Sequence, residues 1–387
     1  MSFFTVFSIH PTPQQRANGQ CRYVFGAEQM VLEPDIVYVH TAQIVNKMAA
    51  MPVKVKSYGD LANHRRMLWS LRRASGDVTI LATGGIGDWI CLEPTLRALK
   101  AEGIIPRIIG YSPRQAILDN SPEGWRFKSL PVPLSDLTAA CWHTPGIPYG
   151  WDDHCVPMPF IMAELAGVDL PAGDRPHIYP RRADLNKWKR ITGDVKRPLI
   201  GLQIAAAIPK RSYPPAMLPL LARELAHLGR VVLLGTMEQY LATVQPYLYW
   251  YPRVISACGM CYDPLDLAAL IAQLNLLVTP DTGALHIAGA LPNPVPTVGM
   301  TAIYPASYAG GTHPRYYAVT ADEWCSPCNQ HSHDNCHLVN ELNIPRCWAT
   351  ITPRKVASAA SRALADSKPP VVPKMQGKPK TLHPRRK

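Results

Sequence analysis

An apolar run, Leu274 to Val278, leads into Thr279-Pro280-Asp281-Thr282-Gly283 and then into a helix of small residues with His286 in its first turn. A strand that delivers the chain into a helix start gathers free backbone N–H groups and the positive end of the helix dipole, which together stabilise phosphate. Gly283 lets the backbone approach such an anion with no Cβ in between. The same Asp-Thr-Gly is also a good N-cap for an ordinary helix, and on these residues alone both readings stand. A second junction lies far upstream. There Val78-Thr-Ile-Leu-Ala82 reads as a buried strand, ends in Gly84-Gly85-Ile86-Gly87-Asp88, and feeds a helix with the apolar stripe Trp89, Leu92, Leu96 and Leu99.

Between and beyond the junctions the pattern alternates. In the first half, Pro106 to Gly110 reads as a strand and Met158 to Gly167 as a helix. The second half offers strand Leu199–Ile204, a helix bearing Leu218, Leu221, Leu225 and Leu228, and strand Val231–Leu234. A helix with Leu267, Leu270, Ile271 and Leu274 follows, then strands Leu276–Thr279 and Pro296–Gly299. Strands separated by helices of this length favour parallel sheets covered on both faces. The prediction is an α/β protein of GT-B architecture, two Rossmann-like domains facing across a cleft that holds the site. Residues 1–71 form an N-terminal extension of unclear fold, with Asp35 to Val39 strand-like. The first domain spans 72–185 and the second 195–366. A polar, basic linker falls near Arg181 to Arg197, and 367–387 is a disordered basic tail.

These landmarks resemble glycosyltransferase family 9, the ADP-heptose-dependent heptosyltransferases of lipopolysaccharide core and of autotransporter proteins. The family's Gly-x-Ile/Leu-Gly-Asp followed by a Pro-x-Leu-x-x-Leu-Lys helix is similar to Gly84–Asp88 with Pro94–Lys100. Its Lys-x-Trp/Tyr-Pro resembles Lys210-Arg211-Ser212-Tyr213-Pro214, and its strand, Gly turn and acidic residue resemble Val231–Gly235 with Glu238. Asp281-Thr282-Gly283-x-x-His286 is the third landmark. Cys325-Ser-Pro-Cys328 with Cys336, Cys347 and Ile351-Thr-Pro353 resembles the cysteine segment and closing helix.

The resemblance implies sugar transfer with inversion, which needs a base for the acceptor hydroxyl and a means of stabilising the departing diphosphate. Asp88, in the loop of Gly84, Gly85 and Gly87, is the candidate base, or else an N-cap carboxylate for the helix beginning near Trp89. Arg211, at the family's spacing, and its neighbour Lys210 are candidates for neutralising phosphate, and either also suits a solvated basic turn. With no evident Asp-x-Asp motif, no catalytic divalent metal is expected and backbone help falls to Thr282 and Gly283. Glu238 reads as a ribose-hydroxyl acceptor or an exposed loop glutamate, and His286 as a phosphate or sugar contact or a packed histidine. The donor expected is ADP-heptose or a similar nucleotide-sugar. Lipopolysaccharide core, a protein serine or a modified nucleic acid would each offer the acceptor hydroxyl.

Cys325-x2-Cys328-x7-Cys336-x10-Cys347 supplies four thiols suited to one structural Zn or Fe, which the autotransporter branch of the family implies as iron. His331, His333 and His337 lie in the same loop. Cys258 and Cys261 have CxxC spacing with no second pair and read as structural, while Cys21, Cys91, Cys141 and Cys155 read as small buried hydrophobes. With no apolar run long enough to span a bilayer and no leader-like start, a cytoplasmic protein is expected. The net charge of +12 owes seven positive residues to Ser367–Lys387, which leaves about +5 elsewhere. That tail is a solubilising segment or an electrostatic tether for an acidic partner. A rival reading makes the whole chain a non-catalytic nucleic-acid or protein-binding module, with finger and tail on a nucleotide-fold scaffold.

Overall fold

Buried β-branched and leucine runs build two parallel sheets, and the amphipathic segments between them cover the faces. The computed structural model describes residues 4–10, 23–25, 30–32, 36–41, 54–57, 77–82, 84–110, 112–136, 141–144, 156–193, 197–207, 209–243, 254–328, 336, 338–341 and 344–366. The basic tail, His331, His333, His337, Cys21 and Cys155 lie outside them. Among the described residues no helix is long and apolar enough to cross a membrane.

The N-terminal residues supply β1 (Phe4–His10), β2 (Tyr23–Phe25), β3 (Met30–Leu32), β4 (Ile36–Thr41) and β5 (Lys54–Ser57). The first α/β unit then runs β6 (Asp77–Ala82), α1 (Ile86–Ala101), β7 (Ile105–Gly110), α2 (Ser112–Asp119), β8 (Arg126–Ser129), β9 (Val132–Pro133), β10 (Cys141–Thr144) and α3 (Met158–Ala166). Its parallel sheet has the order β10-β6-β7-β8. The segment left unassigned by sequence is tied to the first unit: β5, β1 and β4 form an antiparallel sheet whose fourth strand is β9, which lies in the chain between β8 and β10.

The second unit comprises α4 (Arg182–Thr192), β11 (Leu199–Gln203), α5 (Leu218–Leu228), β12 (Arg230–Leu234), α6 (Met237–Thr243), β13 (Val254–Ser256), α7 (Pro264–Ile271), β14 (Leu276–Pro280), α8 (Gly283–Ala290), β15 (Thr297–Thr301), α9 (Ala306–Gly310), β16 (Tyr316–Thr320), α10 (Arg346–Thr350) and α11 (Pro353–Ala365). Six parallel strands follow the order β13-β12-β11-β14-β15-β16. Alternation of side chains gives this sheet two buried faces. Ile200, Leu202, Val231 and Leu233 meet α5 and α11, whereas Leu199, Val232, Leu234 and Leu277 join a core shared with α1, α3, α7 and α8. That shared core joins the two units.

Helix α1 shows what the sharing demands. Sequence periodicity predicts one buried stripe, yet Ile90, Cys91, Glu93 and Thr95 are buried beside Trp89, Leu92, Leu96 and Leu99. A helix apolar on two faces must be covered on both. Helix α3 covers it within its own unit, and α8 covers it from the other.

Within the stretch Arg181–Arg197 expected as a linker, residues 182–192 form α4. Trp188 is its hidden anchor, 1% exposed, with its indole N–H donating to Asp266 at 2.7 Å. Abundant Lys and Arg mask that single face in the sequence. The connection without helix or strand lies earlier, at 171–181, and it is tied down by buried ions. Arg97 of α1 binds Glu93, Asp174 and the Arg175 carbonyl, while the Arg175 guanidinium donates to the carbonyls of Gly289 and Leu291 at the end of α8.

Burial raises the Glu93 carboxyl from its ordinary 4.5 to about 7, outweighing the pull of Arg97. The folded state therefore holds a proton that the unfolded chain releases, and stability falls as pH rises from 4.5 to about 7. Glu93→Gln keeps an acceptor for the His177 N–H but cannot titrate. Denaturant unfolding across that range should show wild type losing on the order of 3 kcal/mol relative to the variant, and a constant difference would contradict the assignment.

Candidate functional site

The two strand–glycine–helix junctions of the sequence meet face to face. In the six-stranded sheet β11 has β12 on one side and β14 on the other, so the chain order reverses between β11 and β14. Ligands of open parallel sheets bind outside the carboxyl ends of strands at such a reversal. The segment after β11 carries Lys210 and Arg211, and the turn after β14 carries Asp281, Thr282 and Gly283. In the other sheet the order reverses at β6, whose carboxyl end carries Gly84, Gly85, Gly87 and Asp88.

Two glycines allow the meeting. A Cβ on Gly87 would lie 2.6 Å from His286 Cδ2, and one on Gly283 would lie 2.8 Å from Ile86 Cβ. The starts of α1 and α8 thus touch backbone to side chain. Asp88 stands at the third position of α1, and its Oδ2 accepts the N–H of Gly85, the N-cap. The capping reading of Asp88 is therefore realised, at the helix's third position rather than its cap. The same carboxylate lies within electrostatic reach of Arg211 and Tyr308 across the junction.

Arg211 is the cation that points inward. Burial disfavours its charge, but Asp281, Tyr304 and Asp88 outweigh that and hold it firmly protonated. Its Nη1 is 3.5 Å from Asp281 Oδ2, while its Nε is buried with no hydrogen-bond partner among the described residues. An orphaned guanidinium N–H beside a helix start suits an anion. Lys210 instead contributes its carbonyl, which accepts the Trp348 indole N–H at 2.8 Å. Thr282 is the N-cap residue of α8, but its hydroxyl pairs with Thr279 Oγ1 at 2.9 Å and makes no side-chain cap.

His286 bridges the junctions. Its Nε2 is 3.7 Å from Asp281 Oδ1, and its Nδ1 is 3.4 Å from Cys91 Sγ. Burial opposes charge on the ring, yet Cys91 and Asp281 push it up to about 10. Cys91 is 1% exposed as expected, but it is more than a small hydrophobe. Sequence reasoning missed it, together with Tyr304 and Tyr308, because a cysteine on an apolar stripe and tyrosines outside any motif carry no local signal. Glu238 is exposed in the first turn of α6, beyond the carboxyl end of β12.

The cysteine segment backs the cation turn. Tyr213 is fully buried, stacks edge-on against Trp348 and donates its hydroxyl to the Ile351 carbonyl at 2.8 Å. Burial pushes the Cys347 thiol up to about 11, and Cys325, Cys336 and Cys328 all lie near enough to reinforce the shift. The four thiols therefore share one locality, although no three His, Cys, Asp or Glu side chains among the described residues are drawn together closely enough to hold a metal ion. Cys258 is buried, and burial pushes the Cys261 thiol up to about 12.

Residues 149–338 match the family model described as "Glycosyltransferase family 9 (heptosyltransferase)". The match contains the Lys210–Tyr213 and Asp281–His286 landmarks and leaves Gly84–Asp88 and Cys347 outside. No curated protein matches the chain by sequence. Among solved structures, E. coli ADP-heptose lps heptosyltransferase II aligns with a TM-score of 0.55 at 16% identity, over 74% of this chain and 98% of that one. A family 9 glycosyl transferase from Veillonella parvula DSM 2008 gives 0.56 at 15%, over 75% and 98%. The iron-containing dodecameric glycosyltransferase TibC from enterotoxigenic E. coli H10407 gives 0.57 at 12%, over 93% of each chain. The fold is thus α/β with parallel sheets, of the GT-B kind that the alternation predicts.

Gly87→Ala tests the contact between the junctions. The added methyl has the His286 ring as its neighbour, so unfolding should become easier by about 1–3 kcal/mol with secondary structure kept. Unchanged stability by chemical denaturation would mean that the helix starts are not held this close.

Proposed function

We propose that this chain, whose residues 149–338 match the glycosyltransferase family 9 model, transfers heptose or a similar sugar from an ADP-linked donor to an acceptor hydroxyl with inversion. The observation that carries this reading is the convergence of Arg211, Asp281 and the start of α8 on one junction at the chain-order reversal. The free Nε of Arg211 and the helix N–H groups that Thr282 leaves without a side-chain cap would receive the diphosphate. Lys210, beside Arg211 in the same turn, would add positive charge, and Glu238, in the first turn of α6, would take the ribose hydroxyl. The E. coli neighbour bears ADP-heptose in its name, which supports the choice of nucleotide.

Asp88 is the proposed base. As the diphosphate departs on the Arg211 side, Asp88 would take the acceptor's proton from the opposite unit, and attack from that side inverts the anomeric carbon. Its bond to the Gly85 N–H holds the carboxylate in place at the start of α1. The scaffold-only alternative is not favoured, since a binding module has no use for three half-buried charges gathered at a nucleotide-type junction. The acceptor is a hydroxyl on lipopolysaccharide core, a protein serine or a modified nucleic acid, and the tail would serve an acidic partner.

For the cysteine segment, we propose one structural metal held by Cys325, Cys328, Cys336 and Cys347. The shared locality of the thiols and the iron-containing neighbour support it. A closed thiolate shell contributes folding energy and leaves no open position for substrate.

ADP should raise the melting temperature, and Arg211→Ala should abolish most of that protection. Asp88→Asn retains the acceptor atom for Gly85, so folding and ADP affinity should persist while transfer from ADP-heptose falls by about two to four orders of magnitude. Near-normal turnover would remove Asp88 as the base. Elemental analysis of anaerobically purified protein should find about one iron or zinc per chain, and its absence would sink the metal assignment.

A further inference from the structure

A thiol and an imidazole from residues 195 positions apart meet at the contact between the units. Cys91 lies in the second turn of α1 among Ile90 and Leu92, where any small apolar side chain would satisfy packing. The sulfur is used otherwise: it stands 3.4 Å from Nδ1 of His286, while Asp281 holds the opposite nitrogen. A ring with a thiol beside one nitrogen and a carboxylate near the other is held in one orientation by its surroundings. Rotating it about χ2 would break both contacts at once.

We propose that Cys91 is a positioning residue that, from the N-terminal unit, keeps the His286 ring of the C-terminal unit turned toward Asp281 and the phosphate junction. The proposal rests on reading that junction as the donor phosphate site. There His286 supplies a second positive charge beside Arg211. Cys91 and His286 belong to different units, so the ring is fully aligned only when α1 and α8 are together. Donor charge compensation is thereby tied to the contact that also brings Asp88 to the site.

The other titratable neighbours do not supply this alignment. Asp281 reaches His286 from the turn before α8, and it also serves Arg211. His313, which packs against Gly289 of α8, accepts the Arg315 N–H at Nδ1 and faces Thr297 at Nε2. Burial and the His286 charge hold it down to about 3, so it stays neutral. Cys91 is the group on α1 that faces Nδ1.

Histidine-selective 15N NMR of the full chain reads the ring directly, with the His286 signal assigned through His286→Gln. Both ring nitrogens should be protonated through neutral pH in wild type. In Cys91→Ala the titration midpoint should fall by about one unit or more, with about tenfold weaker ADP binding. Cys91→Ser, which keeps a polar contact, should recover part of each. Cys91→Val fills the space with no polar atom and gives the readout if the alanine variant does not fold. A wild-type His286 that titrates near its ordinary value, or a midpoint and ring state unchanged in a folded Cys91→Ala or Cys91→Val, overturns the proposal. Failure of wild type to bind ADP instead overturns the donor-site reading and leaves the ring measurement standing.

Discussion

The close approach of α1 and α8 at Gly87 and Gly283 is the constraint on which the site depends. Each helix begins where its sheet reverses chain order, so each start is already a place where backbone N–H groups converge. Most α/β proteins have such places, and a single one is compatible with many functions. Here two of them are pressed together, with only glycine narrow enough to allow it. The apolar cost of α1's second face is met by the same contact, since α8 covers what the first unit leaves open. Packing and site assembly are therefore one event.

Charge follows from that geometry. Bringing Arg211, Asp281, His286 and Asp88 into a half-buried junction would be unfavourable for any of them alone. The group is arranged so that each charge has an opposite neighbour: Asp281 sits between Arg211 and His286, and Asp88 stands within reach of Arg211. Among the described residues the Nε of Arg211 has no hydrogen-bond partner, an arrangement that suits an anion. A second, part-buried cluster at Glu93, Arg97, Asp174 and Arg175 is paired internally. Its partners are carboxylates and the terminal carbonyls of α8, and its role is to hold the connecting segment across both units.

What was legible in the sequence followed local periodicity and glycine. The buried strands after Val78, Leu199, Val231 and Leu276 have uniform apolar runs, and the helices between them announce their stripes. The GT-B architecture could thus be read from alternation. Helix α4 was illegible because one tryptophan and its Asp266 partner anchor a segment otherwise rich in Lys and Arg. The N-terminal sheet was illegible because its closing strand, β9, is two residues long and lies far along the chain. Motif spacing favours Arg211 over Lys210, and in the structure Arg211 faces Asp281 while the Lys210 carbonyl accepts from Trp348. Cys91 could not be found this way, since its partner is remote in sequence and its own surroundings are those of a core residue.

The cysteine segment and the cation turn are mechanically linked, which explains why a structural feature lies so near the site. Trp348 follows Cys347 directly and donates to the Lys210 carbonyl, while the Tyr213 hydroxyl donates to Ile351 at the end of α10. These two bonds clamp both sides of Arg211. Ser326, between Cys325 and Cys328, donates to the Ala302 carbonyl just beyond β15, so the other end of the segment is anchored to the same sheet. A turn of three residues in a 3-10 helix has little stiffness of its own. Its guanidinium keeps its place because α10 lies behind it, and whatever orders the segment from Cys325 to Cys347 also orders Arg211.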